Sequence, residues 1–188
     1  KVVVNALPGE ARLQETVDHI RANGGEAVAV AGDVSQASAW REMVQAALDH
    51  YGKLNILMHN AAHAYIKPVI EFTEEEWNHA IAVSLNGPWL GAKHCIPEMI
   101  KAGGGSLVFT STVNSLITNP GFGVYSTSKA GLNGLTRSLA MEYGRKGIRC
   151  NAIAPGLIVG VRNQQAMHDD PLEGLMNELV RSGAARRE

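Results

Sequence analysis

Five short apolar runs, each rich in β-branched residues and most followed by a longer stretch of helical periodicity, constrain this chain more than any other feature. They are Val2–Val4, Ala27–Ala31, Leu54–Met58, Leu107–Thr110 and Ile148–Ile153. Few charges interrupt them, as expected of parallel strands covered on both faces. The helical segments run over roughly 10–23, 37–51, 74–101 and 124–145. This β-α-β-α rhythm predicts an α/β fold on a doubly wound, Rossmann-like parallel sheet. Gly24-Gly25 falls where a helix C-cap belongs. Ser35 or Ser38 is placed to start the second helix, and Thr73 with Glu76 forms a capping box for the third. Gly103-Gly104-Gly105 precedes a strand, which predicts a turn; a phosphate cradle follows a strand and opens a helix.

At 188 residues the chain is sized for a single domain, 1–188. A net charge of −1 gives no reason to expect nucleic acid or an anionic membrane as partner. No run approaches the ~18 apolar residues of a membrane span. The opening Lys1-Val2-Val3-Val4-Asn5 lacks a signal-peptide pattern, so the expectation is a cytoplasmic protein. Cys95 and Cys150 sit in apolar surroundings and read as reduced core residues.

The chemistry concentrates around Tyr125 and Lys129. Their spacing of four puts both side chains on one helix face. A free phenol titrates near ~10, and a neighbouring cation favours its ionised form, so the pair suits proton transfer near neutral pH. Upstream, the hydroxyl pair Ser111-Thr112 ends a strand. Taken alone, Tyr125 and Lys129 also fit a half-buried phenol with a snorkelling lysine stem. His59 and His63 share a metal-like spacing but straddle a strand end and a loop, so no metal site is expected.

Further motifs fall in order along the chain. Asp33-Val34 follows the second run, His59-Asn60-Ala61-Ala62 ends the third, and Asn151-Ala152-Ile153-Ala154-Pro155-Gly156 ends the fifth. With Ser111-Thr112 and Tyr125…Lys129, the chain resembles the short-chain dehydrogenase/reductase family over nearly its whole length. The resemblance implies that Tyr125 exchanges a proton with a carbonyl or alcohol, and that Lys129 lowers its pKa and bonds the nicotinamide ribose. The family's catalytic serine falls at Thr112, with Ser111 as the alternative hydroxyl. It further implies that Asp33-Val34 lies by the adenine, that Asn60, Ala61 and Ala62 line the cofactor, and that Pro155, Gly156 and Ile158 border the nicotinamide. All these groups follow strand carboxyl ends, where doubly wound sheets bind ligands.

Departures from the pattern matter as well. Ser84 occupies the position of a family Asn that keeps a water-linked proton path to the Lys. The sequence opens on what looks like the family's second strand, without the Gly-rich turn, and a final strand after 173–188 is missing. The expectation is therefore that the chain is part of a longer one, incomplete at both ends. In the order 3-2-1-4-5-6 the absent first strand would lie between the runs at 2–4 and 54–58.

The leading expectation is an NAD(P)-dependent oxidoreductase interconverting an alcohol and a ketone or aldehyde on a small or medium apolar substrate. No acid stands at Asn5-Ala6-Leu7 to bond a ribose 2′-hydroxyl, and Arg12 is near, which tilts the choice between NAD and NADP towards NADP. A second reading is a catalytically impaired dinucleotide-binding sensor or structural subunit, motivated by Ser84 and Thr112. A nucleotide-sugar epimerase or dehydratase shares the Tyr/Lys pair but fits the other motifs less well. The resemblance also implies a homodimer or homotetramer joined through the helices at 74–101 and 124–145, where Ser126, Ala130, Gly131 and Gly134 allow close approach. Met167, Leu172, Leu175, Met176 and Leu179 read as the apolar stripe of a lid.

Overall fold

The computed structural model of the chain describes residues 1–156 and Ile158. The chain divides into two units, Lys1–Ala154 and Pro155–Glu188. The first unit carries β1 (Val2–Ala6), α1 (Arg12–Ala22), β2 (Ala27–Ala31), α2 (Ala37–Tyr51), β3 (Ile56–His59), α3 (Glu74–Ile81), α4 (Gly87–Lys101), β4 (Gly105–Thr110), α5 (Gly123–Tyr143) and β5 (Ile148–Ile153). In the second unit Pro155 is half-buried, while Gly156 and Ile158 are exposed. The apolar stripe at 167–179 lies outside the described residues.

Every strand pairing is parallel, as the alternation of strands and helices predicts. The pairings form two sheets, β1-β2 and β3-β4-β5. Thus β1 and β3 each have one ladder partner among the described residues. The break falls where the resemblance puts a further strand. Val3 and Val30 of the first sheet nevertheless share one core with Leu57, Leu107, Phe109, Ile148 and Cys150 of the second. Onto that core α2 adds Trp40 and Met43, α4 adds Ile96 and Met99, and α5 adds Leu132 and Leu139. Gly91 of α4 is required by this packing: a Cβ there would stand 2.8 Å from the Trp40 ring.

Coverage on both faces holds only in part. Leu107 and Phe109 of the central β4 are fully buried. In β3, Leu57 and His59 point inward while Ile56 and Met58 stay 66% and 63% exposed, since no described helix covers that face.

Two predicted helix features differ. Neither Ser35 nor Ser38 caps α2; Gln36 takes the cap position without a side-chain bond. Asp33 shapes the preceding turn by accepting the Ser35 N–H at 2.8 Å. The single helix predicted over 74–101 is interrupted by a π-turn at Ala82–Asn86. Pro88 has no N–H to continue the α-helical ladder, and the wider turn absorbs the defect. The Thr73–Glu76 capping box is present, with bonds of 3.1 and 2.9 Å. Gly131 packs on Leu85 within the chain, and Ser126 bonds Thr118 at 2.7 Å, whereas Ala130 lies on the exposed face of α5. Among the described residues no helix is long and apolar enough to cross a membrane.

Candidate active site

The first two turns of α5 run alongside the carboxyl end of β4 and supply the central groups. Helical spacing puts Tyr125 and Lys129 on one face, as predicted. Lys129 is 1% exposed, and its Nζ donates to the Thr110 carbonyl at 2.5 Å. The same ammonium lies 5.8 Å from the centroid of the Tyr125 ring. Burial pushes the Lys129 pKa down to about 8. An ammonium has three donors, so two remain beyond the Thr110 bond.

The phenol does not follow the expected direction. Burial raises the Tyr125 pKa above its ordinary value, and a hydrogen bond with the Thr112 side chain pulls it partly back. The Lys129 ammonium is engaged by the Thr110 carbonyl and lies to one side of this balance, 5.8 Å from the ring centroid.

Of the two candidate hydroxyls, Thr112 is the one near enough to Tyr125 to lower its pKa. Thr112 has extended backbone angles, φ −165° and ψ 156°, and caps the short turn Val113–Ser115. Its Oγ1 accepts the Asn114 N–H at 3.2 Å, which leaves its own proton for the phenol oxygen. Ser111 turns inward. Its backbone N–H bonds the Ile153 carbonyl at 2.7 Å, and its Oγ approaches Ser115 Oγ and the Lys129 carbonyl, both at 3.4 Å.

Ser84 is fully buried in the π-turn. Its hydroxyl accepts the His63 N–H at 3.0 Å and donates to the His63 carbonyl at 3.1 Å. Both of these bonds tie the loop after β3 to the helix layer.

Asp33, Val34, Asn60, Ala61 and Ala62 follow the carboxyl ends of β2 and β3. Asp33 is half-buried, and one of its oxygens serves the turn. Val34 is buried, and its carbonyl takes the Trp40 indole N–H at 2.8 Å. Asn60, Ala61 and Ala62 are exposed in the loop after β3. Asn5 spends its amide on the Val30 and Gly32 carbonyls, both at 3.0 Å, and thereby ties the ends of β1 and β2. Small exposed residues after β3, a half-buried phenol and a buried ammonium are the groups here that could hold a nicotinamide dinucleotide. Pro155, Gly156 and Ile158 belong to the second unit.

Three further side chains adjoin the site, His59 from the motif after β3 and two, Ser115 and Asn133, that belong to no motif. His59 is 3% exposed with neither ring nitrogen hydrogen-bonded, stacked on Trp40 at 5.7 Å between centroids. Burial first, and the Lys129 charge second, push its pKa down to about 4, so the ring is neutral. Ser115 and Asn133 join the turn after Thr112 to α5. The one sequence hint is that Asn133 stands four residues beyond Lys129, on the same face.

A family profile described as short chain dehydrogenase matches residues 1–171. An uncharacterized oxidoreductase of Thermotoga maritima is 40% identical over 156 residues, 83% of this chain and 61% of the relative. Glucose 1-dehydrogenase 2 of Bacillus subtilis is 37% identical over 95% of this chain and 70% of its own length. Dehydrogenase/reductase SDR family member 4 of Homo sapiens is 35% identical over 90% of this chain and 63% of its own length. This chain thus spans about two thirds of the relatives it matches.

Proposed function

The chain belongs to the short-chain dehydrogenase/reductase family, and on that premise we propose that it is an NAD(P)-dependent oxidoreductase interconverting an alcohol and a ketone or aldehyde. The observation that carries this reading is the meeting of Tyr125, Thr112 and the buried Lys129 at the end of β4. A bound nicotinamide dinucleotide supplies or accepts the hydride. The chain's own residues do the rest. The Thr112 hydroxyl and the Tyr125 phenol converge where a carbonyl oxygen would be held. Burial keeps Tyr125 protonated, so it donates its proton to that oxygen as reduction places charge there. Lys129 steadies the phenolate left behind. In the reverse direction the same phenolate takes the alcohol proton.

The substrate is read as small or medium and apolar. Leu116 and Ile117 are 79% and 76% exposed in the turn beyond Thr112. Val69 packs at Gly123 and Ile66 at Gly121, which joins the loop before α3 to the start of α5. No charged side chain occurs from Val113 to Phe122. The preference between cofactors tilts to NADP, supported by the absence of an acid at the end of β1 and by exposed Arg12 at the start of α1. Exposed Trp89 and Met141 on α4 and α5 favour pairing of these helices in a homodimer or homotetramer. The buried free thiols of Cys95 and Cys150, pushed up to about 12 and 11, suit a reducing cytoplasmic setting. Edges of β1 and β3 that have no ladder partner among the described residues support one domain completed by a further parallel strand between them.

Tyr125→Phe is the decisive test. Turnover should fall by about 10²–10⁴-fold, the usual worth of a positioned acid, with cofactor binding retained. Undiminished activity would refute the acid–base role. One observation favours a second reading, a dinucleotide-binding sensor without catalysis: the Ser84 hydroxyl is committed to the His63 backbone, leaving its position without an amide for a water path. Cofactor-dependent thermal stabilisation, without oxidation of NAD(P)H by a broad carbonyl panel, would select that reading.

A further inference from the structure

We propose that Asn133 is a positioning residue of this site, acting through the Ser115 hydroxyl to lock the turn carrying Thr112 against the helix carrying Tyr125 and Lys129. The inference rests on the proposed oxidoreductase reading for its kinetic consequence, though not for its geometry.

Ser115 Oγ lies 2.6 Å from the Thr112 carbonyl oxygen. A carbonyl only accepts, so the single hydroxyl proton of Ser115 is committed there. Whatever else approaches Ser115 Oγ must donate. Asn133 Nδ2 does so at 2.8 Å, from eighteen positions away in sequence and from the face of α5 that carries Lys129. Ser111 Oγ is also 3.4 Å from this oxygen, but its one proton has the Lys129 carbonyl as an alternative acceptor at the same distance. The chain Asn133–Ser115–Thr112 is therefore directional, and removing its head leaves the rest under-satisfied.

The brace is one of three ties between the same two elements. Lys129 Nζ holds the Thr110 carbonyl, Ser111 Oγ reaches the Lys129 carbonyl, and Asn133 holds the far end of the turn through Ser115. Thr112 lies between the outer two ties. The first pair fixes the strand end, but the direction of the Thr112 hydroxyl depends on the turn that follows it. That turn is a single short one, Val113–Ser115, and the Ser115 bond returns to Thr112 itself. Without Asn133 the turn keeps its local bonds, and the Thr118–Ser126 bond still holds the chain beyond it, but the tie from α5 through Ser115 is lost. The separation between hydroxyl and phenol then becomes free to vary.

The test uses the full-length protein and two readouts. In the first, tyrosine 13Cζ resonances are followed against pH, with the Tyr125 signal assigned by its absence in Tyr125→Phe. The charged neighbour facing this ring is Lys129 on its own helix, and Thr112 faces it from the turn. Asn133→Leu, close in volume but without the donor, should raise the Tyr125 midpoint by about half to one unit, as loss of one hydrogen bond to the phenolate does. Ser115→Ala should give a similar shift, the double variant should add little to either, and Asn133→Gln should restore part of it. In the second, kcat should fall about tenfold in Asn133→Leu with KM nearly unchanged, because misplacing the hydroxyl affects the transition state above all. An unmoved Tyr125 midpoint, or shifts in the two single variants that simply add, overturns the inference whether or not the protein turns over. Retained turnover in Tyr125→Phe overturns the proposed function instead and leaves the midpoint result standing.

Discussion

Lys129 joins the electrostatics of the site to the stability of the chain. An ammonium 1% exposed, hydrogen-bonded to the neutral Thr110 carbonyl, is costly to keep charged. Its pKa is pushed from 10.5 in the unfolded chain down to about 8 in the folded one. The sign follows from proton counts. Above 10.5 neither state is charged there; between 8 and 10.5 only the unfolded chain holds the proton; below 8 both do. This group therefore contributes stability at high pH that is lost as pH falls from 10.5 towards 8, a change of about 3 kcal/mol. Lys129→Met should abolish turnover and flatten that part of the stability profile, as read by urea unfolding from pH 7 to 10.5 against the parent. The same variant removes the Lys129 charge from buried His59, whose imidazole should then titrate nearer its ordinary value by NMR. A variant that keeps the parent's alkaline slope would show that the cost of the buried charge lies elsewhere.

Between elements, the contact of α2 with α4 depends on an absent methyl. A Cβ on Gly91 would meet Trp40 Cη2 at 2.8 Å, Cζ2 at 3.0 Å and Leu57 Cδ2 at 3.1 Å. The indole is itself held by its bond to the Val34 carbonyl, so it has little room to withdraw. Gly91→Ala should cost about 1–3 kcal/mol, the usual range for overpacking a core, as a lower urea midpoint at unchanged m-value. Adding Trp40→Phe, which shortens the ring at the point of collision, should recover part of the loss. Most elements were legible from residue patterns alone, because strand length and helical periodicity are local properties. The π-turn was not. It depends on Pro88 withholding a donor and on Ser84 bonding a loop twenty-one positions away, and only the first of these is local. The site divides the same way. An i,i+4 spacing reveals that Tyr125 and Lys129 share a face, whereas the choice of Thr112 over Ser111 depends on which way a strand end turns. The raised phenol pKa was hidden for a related reason, since it reflects a burial that sequence spacing cannot supply.

At the scale of the whole chain the two-sheet arrangement has a physical consequence. Among the described residues β1, β2, β3 and β5 each have one ladder partner, so the edges of β1 and β3 leave backbone donors and acceptors available to another strand. Next to the second edge, Ile56 and Met58 put apolar side chains on a face that no described helix covers. An exposed edge beside an apolar face is a template for association between chains. Residues 1–188 prepared alone should therefore self-associate and bind a hydrophobic dye, both measurable by light scattering and fluorescence. The period-two pattern of β3 offers a clean control, because Leu57 and His59 face the core while Ile56 and Met58 do not. Ile56→Lys with Met58→Lys should suppress association while leaving the unfolding midpoint near that of the parent. Equal scattering from the double variant would shift the cause from the apolar face to the free backbone edges. A proline at an edge position of β1 could then test those edges, since it removes a ladder donor without adding charge.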